Sequence, residues 1–451
     1  MQEVSKNKMG TAPILPLLAK MALPSMFSMF ISSMYNVVDS IFVSRLGEYA
    51  LSAVTLIFPI MMITLAIVIG FAIGVSSLIA RRLGEQRQDA ADSAATHGIY
   101  IALASGLLFL FIGLFLIEPF VNLYAPEDSP MRSSAIIYGK IVTAGSLGIA
   151  LQIQFEKILQ ATGDMIHPML FQLVGALTNV FLDPILIFGL FGFPKFGIAG
   201  AAIATVIGQL AACFYSIYVF MRKETLVKIH LFNFKLSLET LKDIFEVGVP
   251  SMIMQSITAV LLSILNSVLI AFSQAAVSVI GVYFKLQSFV FMPVFGLNQG
   301  LLPILGYNYG AKNKTRLFQT LKYGLITAIC IMGTGTLIFS LFPEMLLSFF
   351  KPSPEMIKIG DPALRIISLS FVFAAINIVL SILYQAIGIG KYSLYISLIR
   401  QLIVILPLAY IAYKLGRLNM IWAAYPISEI VACVASIGIT FKVYEEKLKY
   451  L

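Results

Sequence analysis

The sequence predicts an all-α integral membrane protein of twelve transmembrane helices, arranged as two parallel-repeat lobes of six. Three observations carry that prediction. The 451 residues are 59% hydrophobic and 12% charged, with a mean hydropathy of +0.92, whereas a soluble domain carries about a quarter charged residues. Apolar stretches of about 20 residues recur from end to end, the length a bilayer core asks of a helix. The chain also repeats itself. Pro24-Ser25-Met26 returns as Pro250-Ser251-Met252, Gly84 as Gly310 and Gly98 as Gly324, all at an offset of 226. Gln160-Ala161-x-Gly163 returns as Gln385-Ala386-x-Gly388 at an offset of 225.

Taken in order, the spans of the first half are 15–43, 51–79, 94–117, 133–156, 168–190 and 197–220. The first carries Pro24 and, deep within it, Asp39; the fifth carries Asn179 and Asp183. The sixth opens on the small residues Gly197-x-x-Gly200-Ala201-Ala202, which let helices approach closely, and continues to Thr205. Those of the second half are 246–271, 276–305, 320–343, 363–386, 393–413 and 420–441. Six spans per half is an even number, so both halves enter from one side and the repeat is parallel. The domains expected are an N-terminal lobe 1–220, a linker 221–245 and a C-terminal lobe 246–451. Within the linker, Arg222, Lys223, Lys228, Lys235 and Lys242 suit a cytoplasmic segment, part of it an amphipathic helix at the surface.

Counted with the span ends beside them, loops on the side of the termini hold 20 of the 31 Lys and Arg. The opposite loops hold nine, and Lys285 and Arg400 lie within spans. The positive-inside rule therefore expects both termini in the cytoplasm. It also explains the pI of 9.3 without a nucleic-acid partner. Lys6, Lys8 and Lys20 lead into a long apolar run with no small-residue cleavage pattern, so a removable signal peptide is not expected.

Cys213, Cys330 and Cys433 are dispersed within apolar segments, and His97, His167 and His230 are scattered. Neither set has disulfide or zinc spacing. No HExxH, GxSxG or Walker A motif occurs. The chain is thus expected to be no enzyme, to hold no cofactor apart from a coupling ion, and not to hydrolyse ATP itself.

An unpaired charge at the bilayer centre costs on the order of 2.5–3.5 kcal/mol, so acids there usually face a cavity. Asn179 precedes Asp183 by one turn on the same helix face. Pro184 has no N–H to give the Val180 carbonyl, which leaves a further oxygen nearby. Asp39 and Asp183 with this amide and carbonyl form an oxygen-rich set. It suits a small hard cation such as Na⁺, or a proton shared by two acids that cannot both ionise cheaply. The plainer alternative is two acids that merely hydrogen-bond their helices together. The repeat argues against it: Asp39 falls opposite Leu265 and Asp183 near Leu408, so the second lobe folds without them. Thr205 adds a hydroxyl, and Pro24 permits a kink in the first span. The second lobe has its own polar set, Lys285, Arg400 and Glu429, which reads as a buried ion-pair network or a substrate contact.

The chain resembles a multidrug and toxic compound extrusion (MATE) transporter over about residues 12–440. The resemblance rests on Pro24 with Asp39, on Leu159-Gln160-Ala161-Thr162-Gly163-Asp164, and on Asn179-x-x-x-Asp183-Pro184-Ile185. Gly200-Ala201-Ala202-x-Ala204-Thr205 and Gly306-Tyr307-Asn308-Tyr309-Gly310-Ala311 extend it. It implies the MATE fold, two six-helix lobes around a V-shaped cleft that rock between outward- and inward-open states. It also implies export of amphipathic, often cationic compounds in exchange for H⁺ or Na⁺, by a monomer in the cell's cytoplasmic membrane. In the DinF-like branch the cation site lies in the N-terminal lobe. Motif by motif, it falls on Asp39, Asn179, Asp183, the Ala201 carbonyl and Thr205. Other branches place acids in the seventh and tenth helices, but 251–271 and 366–386 contain none, which favours the DinF-like branch. Lys285, Arg400 and Glu429 fall where the family often has such residues.

The function expected is therefore secondary antiport. The alternative is a lipid-linked oligosaccharide flippase of the same superfamily. Such proteins tend to hold a pyrophosphate with several basic residues, and here only Lys285 and Arg400, both in one half, qualify.

Overall fold

The computed structural model describes residues 7–125, 129–232, 234–350 and 352–451. Among them, ten helices are long and apolar enough to cross a bilayer, and two bent helix pairs bring the number to twelve. In chain order these are α1 (Ile14–Ser44), α2 (Glu48–Gly84), α3 (Gln88–Tyr124), and α4, made of Pro130–Ala144 and Leu147–Ala161. Next come α5 (Ile166–Phe188), α6 (Ile198–Arg222), α7 (Leu238–Ile270), α8 (Gln274–Gly310) and α9 (Lys314–Leu341). The last three are α10, made of Pro354–Ser368 and Phe371–Ala386, then α11 (Gly390–Lys414) and α12 (Leu418–Leu448). All twelve expected spans are present. The fourth of each half is the broken one, bent by 40° in α4 and 46° in α10. Side chains make good the backbone bonds lost at the bends. Ser146 donates to the Thr143 carbonyl (2.7 Å), and Thr336 of α9 donates to that of Ser368 (2.9 Å).

The chain divides into two compact units. One holds Phe27–Leu83 and Arg87–Met252; the other holds Met1–Met26, Gly84–Gln86 and Ile253–Leu451. The chain leaves one unit for the other directly after Met26 and directly after Met252, the last residues of the two Pro-Ser-Met repeats. Both repeats lie inside continuous helices, α1 and α7, despite their prolines.

In the N-terminal unit, α5 and α6 form a tight hairpin. Gly189 closes α5 with φ of +75°, a conformation that costs glycine nothing. The loop then turns back, with the N–H of Phe196 donating to the Leu186 carbonyl (3.0 Å) and that of Gly197 to Ile187 (3.2 Å). Further along, a Cβ on Gly208 would lie 2.8 Å from the Gly175 carbonyl oxygen and 3.2 Å from the Asn179 Cβ. Small residues therefore bring α6 against the polar face of α5. Apolar clusters that include Tyr138 with Ala202, and Ile187 with Ala201, pack around the same region.

The linker expected over 221–245 is part strap and part helix, its helical part beyond the end of α6 being 238–245, the start of α7. Residues 223–232 and 234–237 form a non-helical strap, and helix resumes at Leu238. The cause is local: the strap's backbone donors are taken by side chains of α3. Asp92 accepts from the Lys228 N–H (2.9 Å), Thr96 from His230 (3.1 Å) and His97 Nε2 from Ser237 (2.9 Å). Ser237 then accepts from the Thr240 N–H (3.2 Å), an N-terminal cap that starts α7.

In the C-terminal unit the segment before α1 is clamped. Arg316 donates to the carbonyls of Met9 (3.1 Å) and Ala12 (2.7 Å), and Asn308 donates to Met9 (3.1 Å). Phe371 is buried between Phe291 and Phe339, with ring centroids 5.4 and 5.2 Å away.

Candidate functional site

The acids of the N-terminal unit meet. Asp39 comes from α1, and Asp183 from the α5 face that Gly208 admits to α6. Their carboxyls lie within hydrogen-bonding reach of each other. Asn179, one turn before Asp183, donates to Asp183 Oδ1 (3.4 Å) and to the Thr205 hydroxyl (3.3 Å). Thr205 in turn donates to the Ala201 carbonyl (3.0 Å). Asn179, Asp183, Ala201 and Thr205 are buried, and Asp39 is half-buried.

Three buried oxygens of this cluster have no hydrogen-bond donor among the described residues: Asp39 Oδ1, Asn179 Oδ1 and Asp183 Oδ2. Orphaned acceptors in a low-dielectric interior are costly. Two touching carboxyls cannot both carry charge there without a positive partner. A proton shared by the pair or a hard cation ligated by the oxygens relieves both problems.

Two tyrosines that sequence reasoning missed complete the cluster. The Tyr35 hydroxyl is within hydrogen-bonding reach of Thr205, and buried Tyr138 of α4, whose hydroxyl points to the Met61 sulfur (4.0 Å), lies close enough to feel the charge of both acids. Tyr35 had a signal, since it precedes Asp39 by one turn on the same face. Tyr138 had none. Pro24 lies inside α1, in the part of that helix that belongs to the other unit.

The N-terminal unit holds a second buried polar group, on the latter part of α4. Glu156 accepts from Gln160 (3.0 Å), Gln172 (3.2 Å) and Gln152 (3.3 Å), and Lys157 donates to Gln160 (2.7 Å). Its acid already has donors on both oxygens, unlike those of the cluster. At the end of the same helix, Asp164 caps α5 by accepting from the N–H groups of Ile166 (3.2 Å) and His167 (3.3 Å). Its other oxygen pairs with Lys223 and with His167, each at 2.6 Å. Burial pushes the Asp164 carboxyl up, but the Lys223 hydrogen bond and the His167 ring outweigh it and hold the group below the usual carboxylate range.

In the C-terminal unit the expected polar set separates. Arg400 Nη1 meets Glu429 Oε1 at 3.3 Å. Asn377 donates to Glu429 Oε2 (2.7 Å) and accepts from Ser436 (2.9 Å). Lys285 joins neither, its ammonium lying over the Phe350 ring, 5.9 Å from the centroid. Arg400 sits in a π-helical stretch, Ile399–Ile405, whose widened turn re-aims side chains and recurs at functional positions.

The family model named MatE matches the chain twice, over residues 24–185 and 250–411. The two matches begin on the repeated prolines. The chain is 28% identical to a probable multidrug resistance protein NorM of Thermotoga maritima, over 90% of this chain and 87% of that protein. It is 26% identical to an FAD transporter of Shewanella oneidensis, over 94% of both. Among solved structures it is similar to the outward-facing conformation of a multidrug resistance MATE family transporter of the MOP superfamily. There the TM-score is 0.92 and the identity 27%, with both chains fully covered.

Proposed function

The chain belongs to the MatE family, and from that premise we infer that it is a secondary antiporter. It exports amphipathic, often cationic compounds across the cytoplasmic membrane in exchange for H⁺ or Na⁺, with both termini on the cytoplasmic side. The multidrug names carried by its relatives support the cargo class. The observation that carries the coupling is the set of orphaned oxygens on Asp39, Asn179 and Asp183. With the Ala201 carbonyl and Thr205 they offer a cation an all-oxygen shell, and they offer a proton two adjoining carboxyls. The absence of acids from 251–271 and 366–386 favours the N-terminal cluster as the coupling site, as in the DinF-like branch.

Exchange requires the coupling ion and the cargo to prefer opposite conformations of the protein, because equal affinity for both shifts nothing. Filling the cluster removes one negative charge from the acid pair and stabilises one conformation. Cargo binding stabilises the other and expels the ion. The inward ion gradient then drives cargo outward. One relative named for FAD transport makes a dianionic cargo the second reading. Arg400 and Lys285 are the cations within the spans of the C-terminal half that would serve it.

In a drug-sensitive host, Asp39→Asn is expected to abolish resistance while the protein reaches the membrane at the normal level. Resistance retained at equal expression would sink the coupling role of Asp39.

A further inference from the structure

The strap, described over 223–232 and 234–237, is tied down on one side and bare on the other. Its backbone is held to α3 by Asp92, Thr96 and His97, as described, and the Tyr100 hydroxyl adds a bond to the Leu231 carbonyl (2.8 Å). Val227 is buried, and Phe234 packs on the rings of His97 and Tyr100, with centroids 4.7 and 4.2 Å away. With these side chains turned inward and the backbone fixed, the others cannot fold back.

What faces outward is apolar and basic together. Leu226, Leu231, Phe232, Leu236 and Leu238 are exposed, Leu236 at 64% and Leu238 at 76%. Arg222, Lys228, Lys235 and Lys242 are exposed among them and make no ion pair among the described residues. Residues 222–242 hold five basic side chains against Glu224 and Glu239, and Glu239 lies 3.9 Å from Arg82. The strap starts three residues after the expected span 197–220 and is held along α3 residues 92–100, about where the expected span 94–117 begins, so its first part lies at the level where spans leave the bilayer. Arg222 is stacked near the Tyr218 ring (5.9 Å), an aromatic of the kind that sits at that level.

We propose that the strap is an interfacial anchor: its leucines and Phe232 enter the acyl boundary of the adjoining leaflet, and its lysines and Arg222 hold the phosphates of anionic phospholipids. A rigid backbone presenting apolar residues ringed by basic ones matches the chemistry of an anionic lipid surface. In water the same apolar patch would be a liability. The anchor is independent of the antiport reading, which stands or falls on other residues.

The test uses the full chain reconstituted in vesicles, with Phe232→Trp as reporter. The natural chain has one tryptophan, Trp422, which is fully buried and gives a constant background. Vesicles are made of phosphatidylcholine alone or mixed with phosphatidylglycerol, in each case with lipids brominated near the carbonyl or the methyl end of the acyl chain. The expected result is blue-shifted emission at position 232, quenched more by the shallow bromines than by the deep ones, and most in the anionic vesicles. Adding Lys228→Gln, Lys235→Gln and Lys242→Gln should reduce the quenching to the level in phosphatidylcholine alone. Leu236→Trp should report the same surface from a neighbouring position. Emission at the wavelength of a water-exposed indole, unquenched by either lipid at both positions, would overturn the anchor. Quenching indifferent to phosphatidylglycerol and to the lysines would overturn the headgroup contact.

Discussion

At the scale of the residue, the account rests on oxygens that lack donors. Tyr35→Phe removes a hydroxyl beside Thr205 without touching the acids. It should leave transport intact and weaken apparent ion affinity by about 1 kcal/mol, roughly fivefold, read as the half-saturating ion concentration. Asp164 tests electrostatics outside the spans. Its folded carboxyl is held below the ordinary range, so its stabilisation is present above the unfolded carboxylate range and is lost as pH falls through the folded value. Asp164→Asn keeps the capping oxygen and removes the charge that pairs with Lys223 and His167, so it should lower thermal stability at neutral pH by about 0.2–1 kcal/mol, with the gap to wild type closing in acid. A constant gap at every pH would contradict the ionic part of that description. Asp39 and Asp183 were legible in the sequence because a carboxylate within an apolar run is expensive enough to stand out. Tyr138 was not, because a phenol in an apolar helix is ordinary until its neighbours are known. The separation of Lys285 from Glu429 depends on which spans adjoin, and spacing along one chain does not encode that.

At the scale of the element, hydropathy located all twelve spans, while the two bends and the strap lay beyond its reach. A bent pair taken together still passes for one apolar span, so the break after Ala144 is not marked by hydropathy. The linker 221–245 was expected to be partly helical, and 238–245 is, but composition does not say where the non-helical part ends. In the strap itself, side chains of α3, far off in sequence, take three of the backbone donors. The α5–α6 hairpin makes a direct prediction. Gly208→Val places a branched Cβ where 2.8 Å separates it from the Gly175 carbonyl, so it should destabilise by about 1–3 kcal/mol and shift Asn179. Thermal unfolding and ion affinity should both fall; a change in neither would mean the helices have room to spare. Between α11 and α12, Arg400→Met alone leaves buried Glu429 without its cation, at a cost of about 3–5 kcal/mol, whereas Glu429→Gln leaves Arg400, which is a quarter exposed, and should cost less. The double variant should cost less than the sum, and strict additivity in a double-mutant cycle would exclude a real pair.

At the scale of the whole molecule, the chain is a duplication whose copies have parted in chemistry. Both family matches begin on a Pro-Ser-Met and both halves break their fourth span. Only the first half keeps a carboxyl pair, and it keeps it with unsatisfied oxygens that a fold does not need. That asymmetry was visible in the sequence as acids facing leucines across the repeat. The cargo was not, because promiscuous apolar surface carries no short motif. The most direct measurement is efflux of a fluorescent cationic dye from proteoliposomes, with a pH gradient and a Na⁺ gradient imposed separately, for wild type and Asp39→Asn. The account predicts efflux by the wild type under one of the two gradients and none by Asp39→Asn under either. Equal gradient-driven efflux by both proteins would contradict it.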